Sequence, residues 1–325
     1  MQDMWRFEIN DSRITALPIG CLSLDTMITT NSGIRTMGEF SEDKYPDRIW
    51  SENKFEDVGF FFDNGIYDCK KITTKQGFSY TGTNNHKMKI VRNNKIIWCR
   101  TDQMKVGDYI LIDKSERWFN TSFDCTKEEA YALGCMIGDG SYVNKYYLHF
   151  TTIDEEFIDR LKCIGDFQQQ SDKIHYCLFG KDKVSKWLNF WKMQPKYTKN
   201  KRLPNTILSA DKNCVAECLA GLFDTDGHIF YDTTKGSTLS VNYTTISKVL
   251  AYQIQYILLH FGIVSTVTNR LRKNKNSHRV YELSITGLDV LEFYKKIPIK
   301  LSRKAQKLKN GIDGKNLANS SIIYT

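Results

Sequence analysis

Two short stretches of this 325-residue chain close in the same way. Residues 132–140 read ALGCMIGDG and residues 218–227 read CLAGLFDTDG, so Asp139-Gly140 and Asp226-Gly227 each follow an apolar, glycine-containing run. One Asp-Gly is an ordinary turn. Two at matching positions set two carboxylates where a helix would end, against the negative pole of its dipole, at a cost of a few tenths to about 1 kcal/mol each. Held near one another, they also repel. A rule broken twice in the same way marks a site. Paired carboxylates, completed by water and phosphate oxygens, suit a hard cation such as Mg²⁺. A cation held there can activate water and stabilise the leaving oxygen of a phosphodiester.

The elements that must position those acids are legible as periodicity. TKEEAYALGCMI reads as a helix with Thr126 as N-cap and Glu129 completing a capping box, and KNCVAECLAGLF as a second helix. Gly134 and Gly138 share one face of the first, and Gly221 and Thr225 share one face of the second. Glycine weakens a helix by about 1 kcal/mol relative to alanine, so close approach of another backbone is the expected compensation. Two such faces packed together would bring Asp139 and Asp226 side by side, with Gly140 and Gly227 expected in the left-handed turn that closes a helix. Each helix leads into strands (SYVNKYYLHFTTI; HIFYDTT and STLSVNYTTI), a helix (DEEFIDRLKCIGDF; SKVLAYQIQYILLHF), further strands (KIHYCLFG; VSTVTNRLR and VYELSITG) and a last helix (KDKVSKWLNFWKM; LDVLEFYKKI). The order is αββαββα, twice.

Charge separates the chain into two parts. Residues 1–120 carry 17 Lys/Arg and 17 Asp/Glu, while residues 121–325 carry 29 and 20, so the net +9 lies wholly in the second part. A basic part points to a polyanion. Its lysines and arginines cluster at Lys192, Lys196, Lys199, Lys201 and Arg202, and again at Arg270, Arg272, Lys273, Lys275 and Arg279, residue types that contact phosphates. No run approaches 18 apolar residues, so no membrane span is expected. Nine cysteines without zinc-type pairs, and no apolar signal core, lead to an expected cytoplasmic setting in a bacterial, phage or similar host.

LAGLFDTDG resembles the signature of the LAGLIDADG homing endonucleases, and LGCMIGDG is similar to the looser first copy of their two-repeat members. The resemblance covers about residues 121–310, with repeats at about 121–200 and 201–310. It implies an α+β fold whose strands form saddles over the major groove of double-stranded DNA, with Asp139 and Asp226 as metal-binding catalytic acids. NKRLPNTIL resembles the block that supplies a catalytic lysine, here Lys201. Arg279 or Lys275 is the expected counterpart in the other repeat. Lys199, Arg202, Arg270, Arg272, Lys275 and Arg279 are the expected DNA contacts.

The first part resembles an intein. CLSLDTMITTNSGIRTMGEF is similar to an intein start, GFSYTGTNNHKMKIV to the block carrying Thr-x-x-His at Thr83 and His86, and WCRTDQMKVGDYIL to a later strand pair. The resemblance implies the all-β horseshoe of inteins and Hedgehog autoprocessing domains, over residues 21–120, with residues 1–20 the flank of an interrupted host protein. Cys21 would attack the Gly20 carbonyl and turn the amide into a thioester, His86 would protonate the departing amine, and Thr83 would hold and polarise the peptide. The closing intein blocks have no match before residue 325. The horseshoe is therefore expected to be incomplete, and a separately encoded C-terminal intein fragment is the expected partner. The leading expectation is a Mg²⁺-dependent homing endonuclease joined to an intein N-terminal portion. The alternatives are a split-intein half with a decayed nuclease, and an RNA-binding maturase. The last predicts loss of an acid, and both acids are present.

Overall fold

No α-helix forms before residue 127 among the residues that the computed structural model describes, which are 2–9, 20–51, 54–116, 119, 121–232, 238–272 and 278–314. The chain divides between Ser115 and Glu116 into two units, each with its own core.

The first unit is all β. Its strands are β1 (Gln2–Ile9), β2 (Leu22–Ser23), β3 (Met27–Thr30), β4 (Gly33–Thr36), β5 (Arg48–Ser51), β6 (Lys54–Tyr67), β7 (Cys69–Thr73), β8 (Ser79–Thr83), β9 (Lys87–Arg92), β10 (Lys95–Arg100) and β11 (Tyr109–Ile110). Eight form one sheet in the order β4-β3-β5-β6-β1-β2-β8-β7, and β10-β9-β11 form another. The long β6 pairs with β5 at its start and with β1 from Val58 onward. β9 and β10 join through Asn93 and Asn94, both at positive φ (53° and 57°), the two-residue turn whose twist matches that of the strands. Ile34, Met37, Phe61, Ile90 and Cys99 are buried. The pairing of Leu22 with Gly82 sets the start of β2 beside the end of β8.

The second unit repeats one motif. The first copy is α1 (Lys127–Gly138), β12 (Gly140–Ser141), β13 (Tyr147–Thr151), α2 (Glu156–Arg160), β14 (Gln168–Gln169), β15 (His175–Phe179) and α3 (Lys181–Phe190). The second is α4 (Lys212–Thr225), β16 (Gly227–Asp232), β17 (Thr238–Thr245), α5 (Lys248–His260), β18 (Thr266–Arg272), β19 (His278–Thr286) and α6 (Leu288–Lys296), followed by α7 (Ser302–Asp313). Both sheets are antiparallel and ordered alike, β12-β13-β15-β14 and β16-β17-β19-β18. Gly140 pairs with Phe150 as Gly227 pairs with Tyr243, which fixes the equivalence of the copies. Leu148, Phe150 and Leu178 of one sheet, and Tyr243, Leu283 and Ile285 of the other, point into the core. The helix expected over DEEFIDRLKCIGDF stops at Arg160. Hydrogen-bonded turns follow, and then Gly165 at φ 148°. No helix among the described residues is long and apolar enough to cross a membrane.

α1 and α4 pack face to face through their small residues. A Cβ on Gly134 would fall on the Cys218 carbonyl oxygen, and one on Gly221 on the Tyr131 carbonyl oxygen. Neither backbone can retreat without parting the helices. Gly134→Ala and Gly221→Ala should therefore each destabilise this unit by about 3 kcal/mol or more, read as a lower urea midpoint for its transition. An unchanged midpoint would refute the interlocked packing. Gly140 and Gly227 correct one expectation: neither adopts positive φ. They are glycine because a Cβ would strike the Met136 and Phe223 carbonyl oxygens one turn back.

Candidate functional site

The N-termini of α1 and α4 are secured in different ways. Thr126 Oγ1 accepts from the Glu129 N–H (3.1 Å), and Glu129 Oε2 accepts from the Thr126 N–H (2.8 Å), the expected capping box. On α4, Asp211 Oδ1 accepts from the Asn213 and Cys214 N–H groups at 2.7 and 3.2 Å. The other ends are equivalent. Asp139 and Asp226 are the C-caps, donating their N–H groups to Cys135 and Leu222 at 3.1 Å each. The interlocked helices bring the two carboxyl groups within hydrogen-bonding range of one another. Both residues reach solvent, yet the surrounding protein displaces enough water to raise both pKa values. Asp226 is pushed up to about 6 by desolvation and then by the charge of Asp139.

Two lysines answer the helix dipoles. Lys201, 5% exposed, donates from Nζ to the carbonyl oxygens of Gly138 (2.6 Å) and Gly140 (2.8 Å) at the end of α1. Lys304, 7% exposed, does the same at the end of α4, sharing its N–H groups among Phe223 (2.9 Å), Asp224 (2.6 Å), Thr225 (2.9 Å) and Gly227 (2.6 Å). These are the carbonyls that a helix end leaves without partners, and a cation there is favourable. Burial lowers both ammonium groups to about 8. Each acid thus ends a helix whose terminus carries a buried positive charge, and neither acid has an ion-pair partner within 4 Å among the described residues.

Lys304 was not among the residues singled out from the sequence, where Arg279 and Lys275 were expected as the counterpart of Lys201. Lys275 and Lys273 lie outside the described residues. Arg279 stands four residues along β19 from Leu283, which shares the row of Tyr243, and it donates to Asn269 Oδ1. Strand alternation also parts the expected DNA contacts. Arg270 and Arg272 lie on the solvent face with Thr268, whereas Leu271 and Arg279 continue the face of buried Val267 and Leu283. Lys199 is exposed in a short 3₁₀ turn and Arg202 is half-buried. The solvent faces of the two sheets mix polar and aromatic side chains, with His149, Thr151, Gln168, Tyr147 and Phe179 on one and Asn242, Ser284 and Phe230 on the other.

The donor set fits a hard divalent cation. Two carboxylates lie close together, reach solvent and have no ion-pair partner within 4 Å among the described residues, and a cation between them would relieve the repulsion that helps to raise Asp226. No third His, Cys, Asp or Glu joins them among the described residues, so water and phosphate oxygens would complete the shell. Ca²⁺ or Mg²⁺ at pH 7.5 should raise the melting temperature of this unit by a few degrees. The effect should fade as pH falls below about 6, where Asp226 takes up its proton. A cation effect that is equally large at pH 5 would count against binding at this pair.

The first unit brings its own expected residues together. The Cys21 N–H donates to Thr83 Oγ1 (2.9 Å), and the Thr83 N–H donates to the Cys21 carbonyl (3.1 Å). His86 Nδ1 lies 3.1 Å from the Gly20 carbonyl oxygen, a contact that requires the proton on Nδ1. The Thr83 hydroxyl donates onward to Asn85 Oδ1 (2.7 Å). A Cβ on Gly20 would strike the His86 backbone, so only glycine allows this approach. The geometry differs from expectation in one respect. His86, expected at the departing amine, faces the carbonyl oxygen of the Gly20–Cys21 peptide, and Thr83 faces its nitrogen. Burial holds the His86 imidazole below the usual histidine pKa.

Residues 213–298 match the LAGLIDADG-like domain family. Over 94% of its length the chain is 25% identical to the ATP-dependent DNA helicase Hel308 of Methanocaldococcus jannaschii, covering 27% of that protein. Over 63% of its length it is 25% identical to the ribonucleoside-diphosphate reductase NrdEB subunit alpha of Bacillus subtilis, covering 21% of it. The chain therefore spans about a quarter of the length of these relatives. Among solved structures it is similar to the homing endonuclease I-WcaI bound to its DNA recognition sequence, with a TM-score of 0.40, 17% identity, and 60% of this chain and 90% of that one covered.

Proposed function

We propose that residues 121–314 cut double-stranded DNA at a defined site with a divalent cation, Mg²⁺ being the natural choice, and that residues 20–115 are the N-terminal portion of an intein. The observation that carries the first reading is the paired acids at interlocked helix ends, each end seated on a buried lysine. Asp139 and Asp226 would hold the cation, which would supply an activated water and charge stabilisation at the scissile phosphate. Lys201 and Lys304 keep the helix ends fixed and, with pKa values near 8, can give or take a proton near neutral pH. The solvent faces of the sheets and the surrounding lysines and arginines form the DNA surface.

The Gly20–Cys21–Thr83–His86 cluster favours the second reading. Sγ of Cys21 adds to the Gly20 carbonyl carbon while the His86 Nδ1–H steadies the developing oxyanion. The C–N bond then breaks, the thiol proton passes to the new amine, and a thioester joins residues 1–20 to Cys21. A helicase and a reductase subunit share no reaction, so an element inserted into unrelated hosts accounts for the relatives better than a shared host activity does. A split-intein half with a decayed nuclease, or an RNA maturase, is the alternative.

The test is cleavage of a pool of random-sequence duplexes by the full chain with Mg²⁺, followed by sequencing of the cut ends. One consensus site, cut on both strands and protected by EDTA, is expected. Intact DNA across a pool that the chain demonstrably binds would refute the nuclease reading.

A further inference from the structure

We infer that Asp224 is the positioning residue that holds Lys304 at the end of α4, an inference that rests on reading Lys304 as part of the reaction site. Asp224 is 1% exposed. Its Oδ2 accepts from the Tyr131 hydroxyl (2.9 Å) and from the backbone N–H of Lys300 (2.8 Å). A carboxylate withdrawn from water is costly unless it is well hydrogen-bonded. Helix packing alone does not demand it: the equivalent residue of the first repeat, two before Asp139, is Ile137, fully buried.

The link to Lys300 supplies the reason. The Lys304 N–H bonds the Leu301 carbonyl (2.9 Å), so fixing residues 300–301 fixes the first turn of α7. That turn carries Lys304 to the carbonyls at the end of α4. Asp224 thus meets the approaching segment twice, holding the Lys300 N–H with its side chain and receiving the Lys304 ammonium on its carbonyl oxygen (2.6 Å). Around it, the Lys300 ammonium pairs with Glu217 (2.6 Å) and lies over the Tyr131 ring. α7 has other contacts at its start, Ser302 with Glu156 (3.1 Å) and Arg303 with Asp154 (3.0 Å). These are exposed, and such pairs contribute little. Lys201 is fixed by different groups: Ser247 donates to its carbonyl (2.6 Å), and Gln253 brackets the backbone of Leu203. The two lysines therefore provide an internal comparison within one molecule.

The experiment is a brief pulse of acetic anhydride on the full chain without DNA or metal, with acetylation read lysine by lysine by mass spectrometry. In the unaltered chain Lys201 and Lys304 should both be protected relative to exposed Lys162. In Asp224→Leu, labelling of Lys304 should rise about tenfold or more through local opening, while Lys201 stays within about twofold. Asp224→Ser, polar but too short to reach the Lys300 N–H, should behave alike and serves if the leucine variant does not fold. Asp224→Asn retains an acceptor oxygen and should restore protection. A Lys304 that stays protected in folded Asp224→Leu or Asp224→Ser overturns the inference. So does labelling of Lys201 in step with Lys304, or equal labelling of Lys304 in the asparagine and leucine variants. DNA cleavage does not enter this measurement, so it stands or falls separately from the nuclease reading.

Discussion

Asp139→Asn and Asp226→Asn should each lower double-strand cleavage by about 10³-fold or more, with DNA binding kept. An amide is nearly the size of the carboxylate, so the helix pair stays packed. It is a poor ligand for a hard cation and leaves one acid to hold it alone. On the proposed reading the affinity for DNA comes from the sheets and the surrounding lysines and arginines, which the substitution does not touch. Stability should move in the opposite direction from activity. The folded pKa of Asp226, about 6, lies above its ordinary value of 3.8. Ionising this group therefore disfavours the folded state, fully above pH 6 and not at all below pH 3.8. At pH 7.5 without metal, Asp226→Asn should unfold at an equal or higher urea concentration than the unaltered chain, and the difference should vanish as pH falls from about 6 to 4. Cleavage near the wild-type rate by either variant, on a site selected with the unaltered chain, would dismiss the pair as the metal site.

The second large effect concerns the Gly20–Cys21 bond. With a C-terminal intein fragment supplied, a strong thiol or hydroxylamine should release residues 1–20 from the full chain. Cys21→Ala should abolish release, because it removes the thiol that becomes the acyl acceptor. His86→Ala should slow it by about 10²–10³-fold, the usual effect of losing an oxyanion donor. Thr83→Ala should have a smaller effect, because its hydroxyl holds the Cys21 N–H that must leave with the amine. The released peptide is read by mass spectrometry. Release that persists in Cys21→Ala would be ordinary hydrolysis, and the intein reading of the first unit would fall with it.

Much of the second unit was legible because its signals are local. The capping box at Thr126 and Glu129, the Asp-Gly closures and the small-residue faces are matters of spacing, and the structure shows each in place. The repeat order was readable for the same reason. α7 was not. Its buried face consists of Lys304, Leu308 and Gly311, with one large apolar residue among them, so the helix looks like a basic tail. Its lysine is buried because four carbonyls receive it, and those lie some 80 residues earlier in the chain. Nothing in local composition encodes that. Gly140 and Gly227 show a subtler limit. Their type was informative but the cause differed, since a collision with a carbonyl one turn back is invisible without coordinates. In the first unit the types of Cys21, Thr83 and His86 were evident, whereas which of them faces which atom of the Gly20–Cys21 peptide depends on the β2–β8 pairing.

The seating of the two lysines decides what can be moved between proteins as a working part. Lys201 follows the last helix of the first repeat and serves the acid of that repeat, although a boundary drawn between residues 200 and 201 would hand it to the second. Lys304 lies six residues beyond the stretch that matches the LAGLIDADG-like domain, which ends at residue 298. A transplant cut at that boundary would carry Asp226 and leave its helix end without the ammonium that seats it. The stretches that keep each acid with its own lysine run instead from Thr126 through Leu203 and from Asp211 through Leu308. Chimaeras joined in the segment between Leu203 and Asp211 keep both acids with their own lysines, and those joined after α6 do not.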